Sequence, residues 1–191
     1  MSQIGVVILA AGEAVRLGKP KQLIEFKGEP LLRRAAKSVI AAGLTPIVVL
    51  GAILEPCHEV LRDLDATIVQ NDRWRDGIAS SIVAGLSAAE QRGVDAVLLM
   101  VCDQPRISAE SLRRVIEAYP GHGIAAARYG GTFGTPAIFS SKFFSALRTL
   151  SGDRGAKAII QSSSSEVVMV DLPEAAFDVD SAADLDEMNR L

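Results

Sequence analysis

Short, unbroken apolar runs separated by longer amphipathic stretches leave this chain few folds to choose from. Ile4 to Ala10, Pro46 to Gly51, Ala66 to Val69 and Ala96 to Cys102 are rich in Val, Ile and Leu and bounded by Gly, Asn or Asp. Continuous rather than alternating hydrophobicity predicts strands covered on both faces, as in a parallel sheet held between helices. Leu31 to Ala42, Leu54 to Leu64 and Ser80 to Gln91 carry apolar positions at helical spacing, and Ser108 to Tyr119 opens on a capping Ser followed by Ser111 and Leu112. The alternation predicts an α/β fold, a three-layer sandwich with a mostly parallel central sheet.

Beyond Tyr119 the pattern loosens. Gly121, Gly123, Gly130, Gly131 and Gly134 punctuate two strand-like runs, Ile124 to Ala127 and Pro136 to Phe139. Ser140 to Leu150 and Arg154 to Gln161 read as helices, Glu166 to Val170 as a strand, and Ala182 to Leu191 as a terminal helix. Ser162 to Ser165 reads as a polar turn. With no repeat, linker or compositional break, residues 1–191 are expected to form one domain, and a hydrophobic content of 49% suffices for a sizeable core.

A formal net charge of -3 with scattered basic residues argues against nucleic acid as a partner. Cys57 and Cys102 sit in no CxxC or Cys/His spacing, so neither a disulfide framework nor a structural zinc site is supported, and a reducing, cytoplasmic compartment is expected. The run Ile4 to Ala11 lacks the basic residues that precede a signal-peptide core. It is also too short to span a bilayer, so a soluble protein away from membranes is expected.

The segment from Leu9 to Lys21 follows the first buried strand, at the edge where open α/β sheets bind ligands. Ala10, Ala11 and Gly12 are small enough for backbone amides to approach an anion, and Gly18 permits a reversal of direction. Arg16 and Lys21 would bring positive charge to a triphosphate, one as a fork and one as a point charge. This is not a Walker loop: five residues separate Gly12 from Gly18, and Pro20 follows Lys19. Nor is it GxGxxG, since Gly12 has no glycine two residues away. A solvated loop with ordinary surface charges remains the alternative.

Asp103 follows the most apolar run in the chain and so should emerge at the carboxyl end of a central strand, with Pro105 ending that strand. Magnesium is typically held by one or two carboxylates with phosphate and water oxygens, so Asp103 needs one acidic helper. Asp178-Val179-Asp180 offers it, because alternate side chains of an extended tripeptide point the same way. The competing reading makes Asp180 or Ser181 a cap for the helix from Ala182, and Asp103 a turn former. His58 and His122 lack a second ligand or a nucleophile at a meaningful spacing. Trp74 is read as packing locally or bordering a pocket. No GxSxG elbow is present.

Taken together, Leu9 to Lys21, with Gln22 and Leu23, resembles the LAAGxSxRxGxxKxL signature of the molybdopterin cytidylyltransferase family, within the MobA-like nucleotidyltransferase superfamily. The segment from Asn71 to Ile82 looks like that family's NxxWxxGxxxSI, and Cys102-Asp103-Gln104-Pro105 like its CDQP. Gly134 to Phe139, Gly152 to Lys157 and Asp178 to Ser181 follow in the family's order. The resemblance implies a Rossmann-like single domain that transfers a cytidylyl group from CTP to the phosphate of molybdenum-bound molybdopterin, releasing pyrophosphate. It further implies that backbone at Leu9, Ala10, Ala11 and Gly12 holds the nucleotide, Arg16 and Lys21 its phosphates, and Gly77 and Ser81 its base. Asp103 and Asp180 would hold magnesium.

By the same similarity, Ala10-Ala11 points to cytidine, since guanylyl-transferring relatives tend to carry LAGG. The product would pass to a molybdenum hydroxylase. Ala14 replaces the family's Ser, removing one hydroxyl; with the amides retained and a neutral hydrogen bond contributing about 1 kcal/mol, weaker triphosphate binding rather than lost function is expected. Whether Asp153 or Lys157 touches the acceptor stays open against a helix cap and a surface Lys, and the acceptor pocket is expected along the glycine-punctuated half. Other readings on the same residues are transfer from GTP or to a sugar or polyol phosphate, a non-catalytic molybdenum cofactor carrier or insertion chaperone, and a plain nucleotide sensor.

Overall fold

The structure, a computed structural model, describes residues 2–13, 18–188 and 190. Nine strands and seven α-helices alternate along it. In chain order they are β1 (Ile4–Ala10), β2 (Glu25–Phe26), β3 (Glu29–Pro30), α1 (Leu31–Ala41), β4 (Pro46–Leu50), α2 (Leu54–Leu61), β5 (Thr67–Gln70) and α3 (Ile78–Glu90). There follow β6 (Ala96–Val101), α4 (Ala109–Ala118), β7 (Ile124–Tyr129), β8 (Thr132–Ser140), α5 (Phe144–Arg148), α6 (Lys157–Ser162), β9 (Val167–Asp171) and α7 (Ala182–Met188). Seven strands form one sheet in the order β5-β4-β1-β6-β8-β7-β9, and only β8 runs against the rest. The sheet is therefore mostly parallel, as expected.

Successive residues of a strand point to opposite faces, so a strand covered twice must be apolar at every position. On β1, Val6 and Ile8 pack with Leu32 and Val39 of α1, Cys57 and Leu61 of α2, and Leu112 and Val115 of α4. Val7 and Leu9 face the other way, against Ile82 and Leu86 of α3, Phe144 of α5 and Ile160 of α6. These two apolar layers make the sandwich. Gly85 lets α3 lie close on the sheet, since a Cβ there would come within 2.3 Å of Val7 Cγ1.

The glycine-punctuated half differs from the sequence reading. The two short runs expected there are the arms of one hairpin, in which Tyr129 pairs with Thr132. Gly130 (φ 52°) and Gly131 (φ 75°) supply the positive φ that a two-residue turn of this hand requires. Pro136 lies inside β8, where a bulge shifts the register from Ala126↔Ala137 to Ala127↔Gly134; a bulge is where a sheet tolerates proline. The pairing of β6 with β8 stops at Leu99↔Ala137, which leaves room at the carboxyl end of β6.

Other departures are smaller. The segment read as one helix from Ser140 is a 3-10 turn over Ser141–Phe143 followed by α5, and α6 begins at Lys157 rather than Arg154. Ser108 caps α4 in a reciprocal box with Ser111, as the sequence suggests. Among the described residues no helix is long and apolar enough to cross a membrane.

Candidate functional site

At the carboxyl ends of β1 and β6 lies an open crevice of about 670 Å³, within the size range of small-molecule sites. Its floor is the loop leaving β1. The carbonyls of that loop are tied into the protein: Gln22 Nε2 donates to Ala10 O and Gly12 O, each at 2.8 Å, and Ala52 N–H donates to Ala11 O. Gln22 is buried, so these bonds form away from competing water. Leu9, Ala10, Ala11 and Gly12 line the crevice, and the carbonyls of the last three are already engaged. Arg16 and Ala14, singled out from the sequence, lie outside the described residues.

Asp103 stands at the carboxyl end of β6. Its backbone oxygen accepts the Val179 N–H at 3.0 Å, which docks the Asp178 to Asp180 segment beside it. The Lys21 ammonium donates to Asp103 Oδ2 at 3.1 Å and to Asp180 Oδ1. Two carboxylates far apart in sequence thus converge on one cation position. The competing caps are resolved by α7: Ser181 Oγ accepts the Asp184 N–H, and Asp184 accepts from the amides of Asp180 and Ser181 and from the Ser181 hydroxyl. Ser181 and Asp184 therefore cap the helix, and the Asp180 side chain is left for Lys21.

Burial alone would lower the Lys21 pKa, but the Asp103 charge and the hydrogen bonds to Asp180 and Asp103 outweigh it and raise the ammonium above the ordinary lysine value. The bond from Lys21 holds Asp180 below its usual 3.8. Desolvation, a hydrogen bond with Asp180, and the charges of Asp180 and Asp103 push Asp178 the other way. A depressed carboxylate contributes stability that is present above its unfolded value and lost as pH falls through its folded value; a raised one has the opposite sense. At pH 7, Asp180→Asn should therefore lower the denaturant midpoint while Asp178→Asn should leave it unchanged or raise it. As pH falls below the ordinary aspartate value of 3.8, the penalty on Asp180→Asn should shrink. Equal shifts for the two variants at pH 7 would contradict the geometry.

The Lys21 side chain is only 23% exposed and is paired with both acids, which sets it apart from the ordinary surface charge of a solvated loop. An ammonium held twice in a half-buried site contributes to local order as well as to charge.

The other flank of the crevice is set by the turn before α3. Gly77 has φ 91°, and a Cβ there would sit 2.4 Å from Gly152 C and O. The close approach lets Ala79 N–H bond to Gly152 O at 3.1 Å and brings Asp153 to the rim. Gly77→Ala should therefore cost about 1–3 kcal/mol in denaturant unfolding, through strain at positive φ plus the clash; a variant as stable as the parent would refute this. Trp74 both packs, with Gly51 against its Cβ, and borders the crevice with Arg75 stacked at 4.2 Å from the ring. Ser81 is buried on α3, its hydroxyl accepting from Asn71.

Lys157, left open with Asp153, bonds to the Thr132 hydroxyl, and Ala156 rather than Asp153 precedes α6 as its cap residue. His58 is exposed on α2. His122 lines a separate hollow of about 680 Å³ at the opposite end of the strands, where Lys142 pairs with Glu166. Burial pushes the Cys57 thiol up to about 11 and Cys102 well above its ordinary value, so neither is a thiolate at neutral pH. In the sequence, Gln22 and Asn71 stand out only as parts of segments that resemble the family's motifs. Their burial as polar residues is the signal that marks them, and burial is not written locally in the chain.

The chain has relatives among known proteins. Residues 6–167 match the model of a family described as the MobA-like NTP transferase domain. The chain belongs to that family. As a MobA-like nucleotidyltransferase it is 29% identical over 197 aligned residues to nicotine blue oxidoreductase of Paenarthrobacter nicotinovorans, covering 97% of this chain and 94% of that one. It is 27% identical over 164 residues to purine catabolism protein PucB of Bacillus subtilis, covering 82% and 80%. The solved structure of Rv0371c from Mycobacterium tuberculosis H37Rv superposes with a TM-score of 0.85 at 29% identity, over 100% of this MobA-like chain and 99% of the other. Rv0371c has also been solved in complex with manganese, with a TM-score of 0.80 at 28% identity and 98% coverage of both chains. The expected fold class and family both hold.

Proposed function

We propose that this MobA-like enzyme transfers a cytidylyl group from CTP to the phosphate of molybdenum-bound molybdopterin, with release of pyrophosphate. The observation that carries the nucleotidyl-transfer reading is the convergence of Asp103 and Asp180 on one cation position beside the Gly12 loop. The choice of cytidine and of molybdopterin is supported by the sequence resemblance, through Ala10-Ala11 and the ordered segments after it.

The donor set suits a hard divalent cation, since both groups are carboxylates and their oxygens already share one positive charge. Asp103 and Asp180 would hold magnesium, and the manganese complex of Rv0371c supports a divalent ion in this family. When bound, such an ion neutralises phosphate charge. Backbone at Leu9 to Gly12 cradles the triphosphate, and Gly77 and Ser81 meet the base. An acceptor phosphate oxygen attacks the α-phosphorus of CTP; the new P–O bond forms as the α–β bridging P–O bond breaks, and its electron pair leaves on pyrophosphate. Lys21 and Arg16 stabilise the charge growing on that leaving group. The attacking phosphate is already ionised near neutral pH, so the chain needs position and charge rather than a general base.

Pyrophosphate release should be measured with CTP, GTP, UTP and ATP, with and without molybdenum cofactor, and with glycerol or sugar phosphates as rival acceptors. Cytidine-specific, cofactor-dependent release supports the proposal. GTP or sugar phosphate preference would reassign the substrate, and tight cofactor binding without pyrophosphate would indicate a carrier. The likeness over 97% of the chain to a protein named nicotine blue oxidoreductase favours testing a second reading, oxidoreduction of nicotine blue with an added nicotinamide-type hydride donor or acceptor as the redox partner, by a spectral assay with the same preparation.

A further inference from the structure

Asn71 is a buried amide whose orientation is fixed by its surroundings. Its Oδ1 accepts the backbone N–H of Arg73 at 3.0 Å, so its Nδ2 must face the other way. There it donates to Ser80 Oγ at 2.9 Å and Ser81 Oγ at 3.0 Å. Each hydroxyl is thereby an acceptor toward Asn71 and must place its proton elsewhere. The single Ser80 proton has two acceptors in reach, Arg73 O at 2.8 Å and Gly77 O at 2.9 Å. Among the described residues nothing accepts from Ser81, and Ser81 lines the crevice together with Gly77 and Ile78.

We propose that Asn71 is a positioning residue that sets the polarity of the Ser81 hydroxyl, making it a donor toward the nucleobase and so favouring bases that present an acceptor edge. Cytosine offers two adjacent acceptors, O2 and N3; the Watson–Crick edge of guanine offers the donors N1–H and N2–H there. This inference rests on the nucleotidyl-transfer reading, because it assumes that the Gly77 to Ser81 flank receives the base.

The test is a double-mutant cycle on base discrimination, read as the ratio of CTP to GTP dissociation constants by calorimetry. Asn71→Asp turns the donor into an acceptor, which draws the Ser81 proton inward. The ratio should shift toward GTP by about five- to tenfold, the size of one neutral hydrogen bond. Asn71→Ala, which frees the hydroxyl without a buried charge, should shift it less and serves if Asn71→Asp does not fold. Ser81→Ala should shift it as far as Asn71→Ala or farther, and either Asn71 variant placed on Ser81→Ala should add nothing. A merely structural Asn71 would lower the melting temperature but leave the ratio unchanged, which would overturn the inference while leaving nucleotidyl transfer intact. If the wild-type chain bound no triphosphate at all, both would fall.

Discussion

Asp103→Asn should abolish most turnover while leaving the fold in place. The substitution removes one negative charge at nearly constant volume. The link that positions the acidic segment, Val179 N–H to Asp103 O, belongs to the backbone and survives. Lys21 keeps Asp180 as a partner. Loss of a single preorganised charge at a phosphoryl-transfer centre is expected to slow pyrophosphate release by about 10²-fold or more, by analogy with the removal of one oxyanion donor. The melting temperature should move by only a few degrees. Near-normal release from a well-folded Asp103→Asn protein would remove Asp103 from the reaction.

The parts of the fold legible in the chain are those whose physics is local. Ile4–Ala10 and Ala96–Val101 read as buried strands because both faces are covered, and that requirement is written in every residue. Ser108 declares the start of α4 through its own hydroxyl. The β7–β8 hairpin was less legible. Pro136 and Gly134 interrupt it, and both are accommodated by a bulge whose register is decided by pairing with β7. Likewise β2 and β3 are two residues each, too short to carry any period, and exist because they face one another across a turn at Lys27 and Gly28.

Position relative to the sheet was equally legible for the candidate site, since a carboxylate after the most apolar run must emerge at a strand end. Which partner it meets was not. Nothing near Asp180 in sequence distinguishes a helix cap from a crevice residue; the decision comes from Ser181 and Asp184 meeting the helix amides between themselves. The pairing of Lys21 with both acids likewise depends on strand order and on how Phe177 and Val179 of the segment before α7, with Met188 of α7, pack with Ile24 and Phe26. These are contacts over long sequence separations, which a periodic pattern does not encode.

The same geometry predicts an unusual pair of effects for Lys21→Met. In the free protein the ammonium occupies the position that the two carboxylates share, so it competes with any divalent cation that approaches them. Removing it while keeping an unbranched chain of similar length leaves Asp103 and Asp180 without their common counter-charge. One unit charge at about 4 Å in a medium of effective dielectric near 20 is worth about 4 kcal/mol before ionic screening. Even a third of that corresponds to about tenfold in affinity. Manganese titrated into the nucleotide-free variant, followed by the loss of its free electron-spin signal, should therefore bind at least about tenfold more tightly than to the parent. Pyrophosphate release should nevertheless fall, because the charge that meets the leaving group is gone. The variant should also melt lower than the parent without metal and recover when manganese is added, since the ion then neutralises the same two groups. Unchanged or weaker manganese binding would mean that these carboxylates serve Lys21 alone, and the reading of the crevice as a metal-assisted nucleotidyl-transfer site would have to be abandoned.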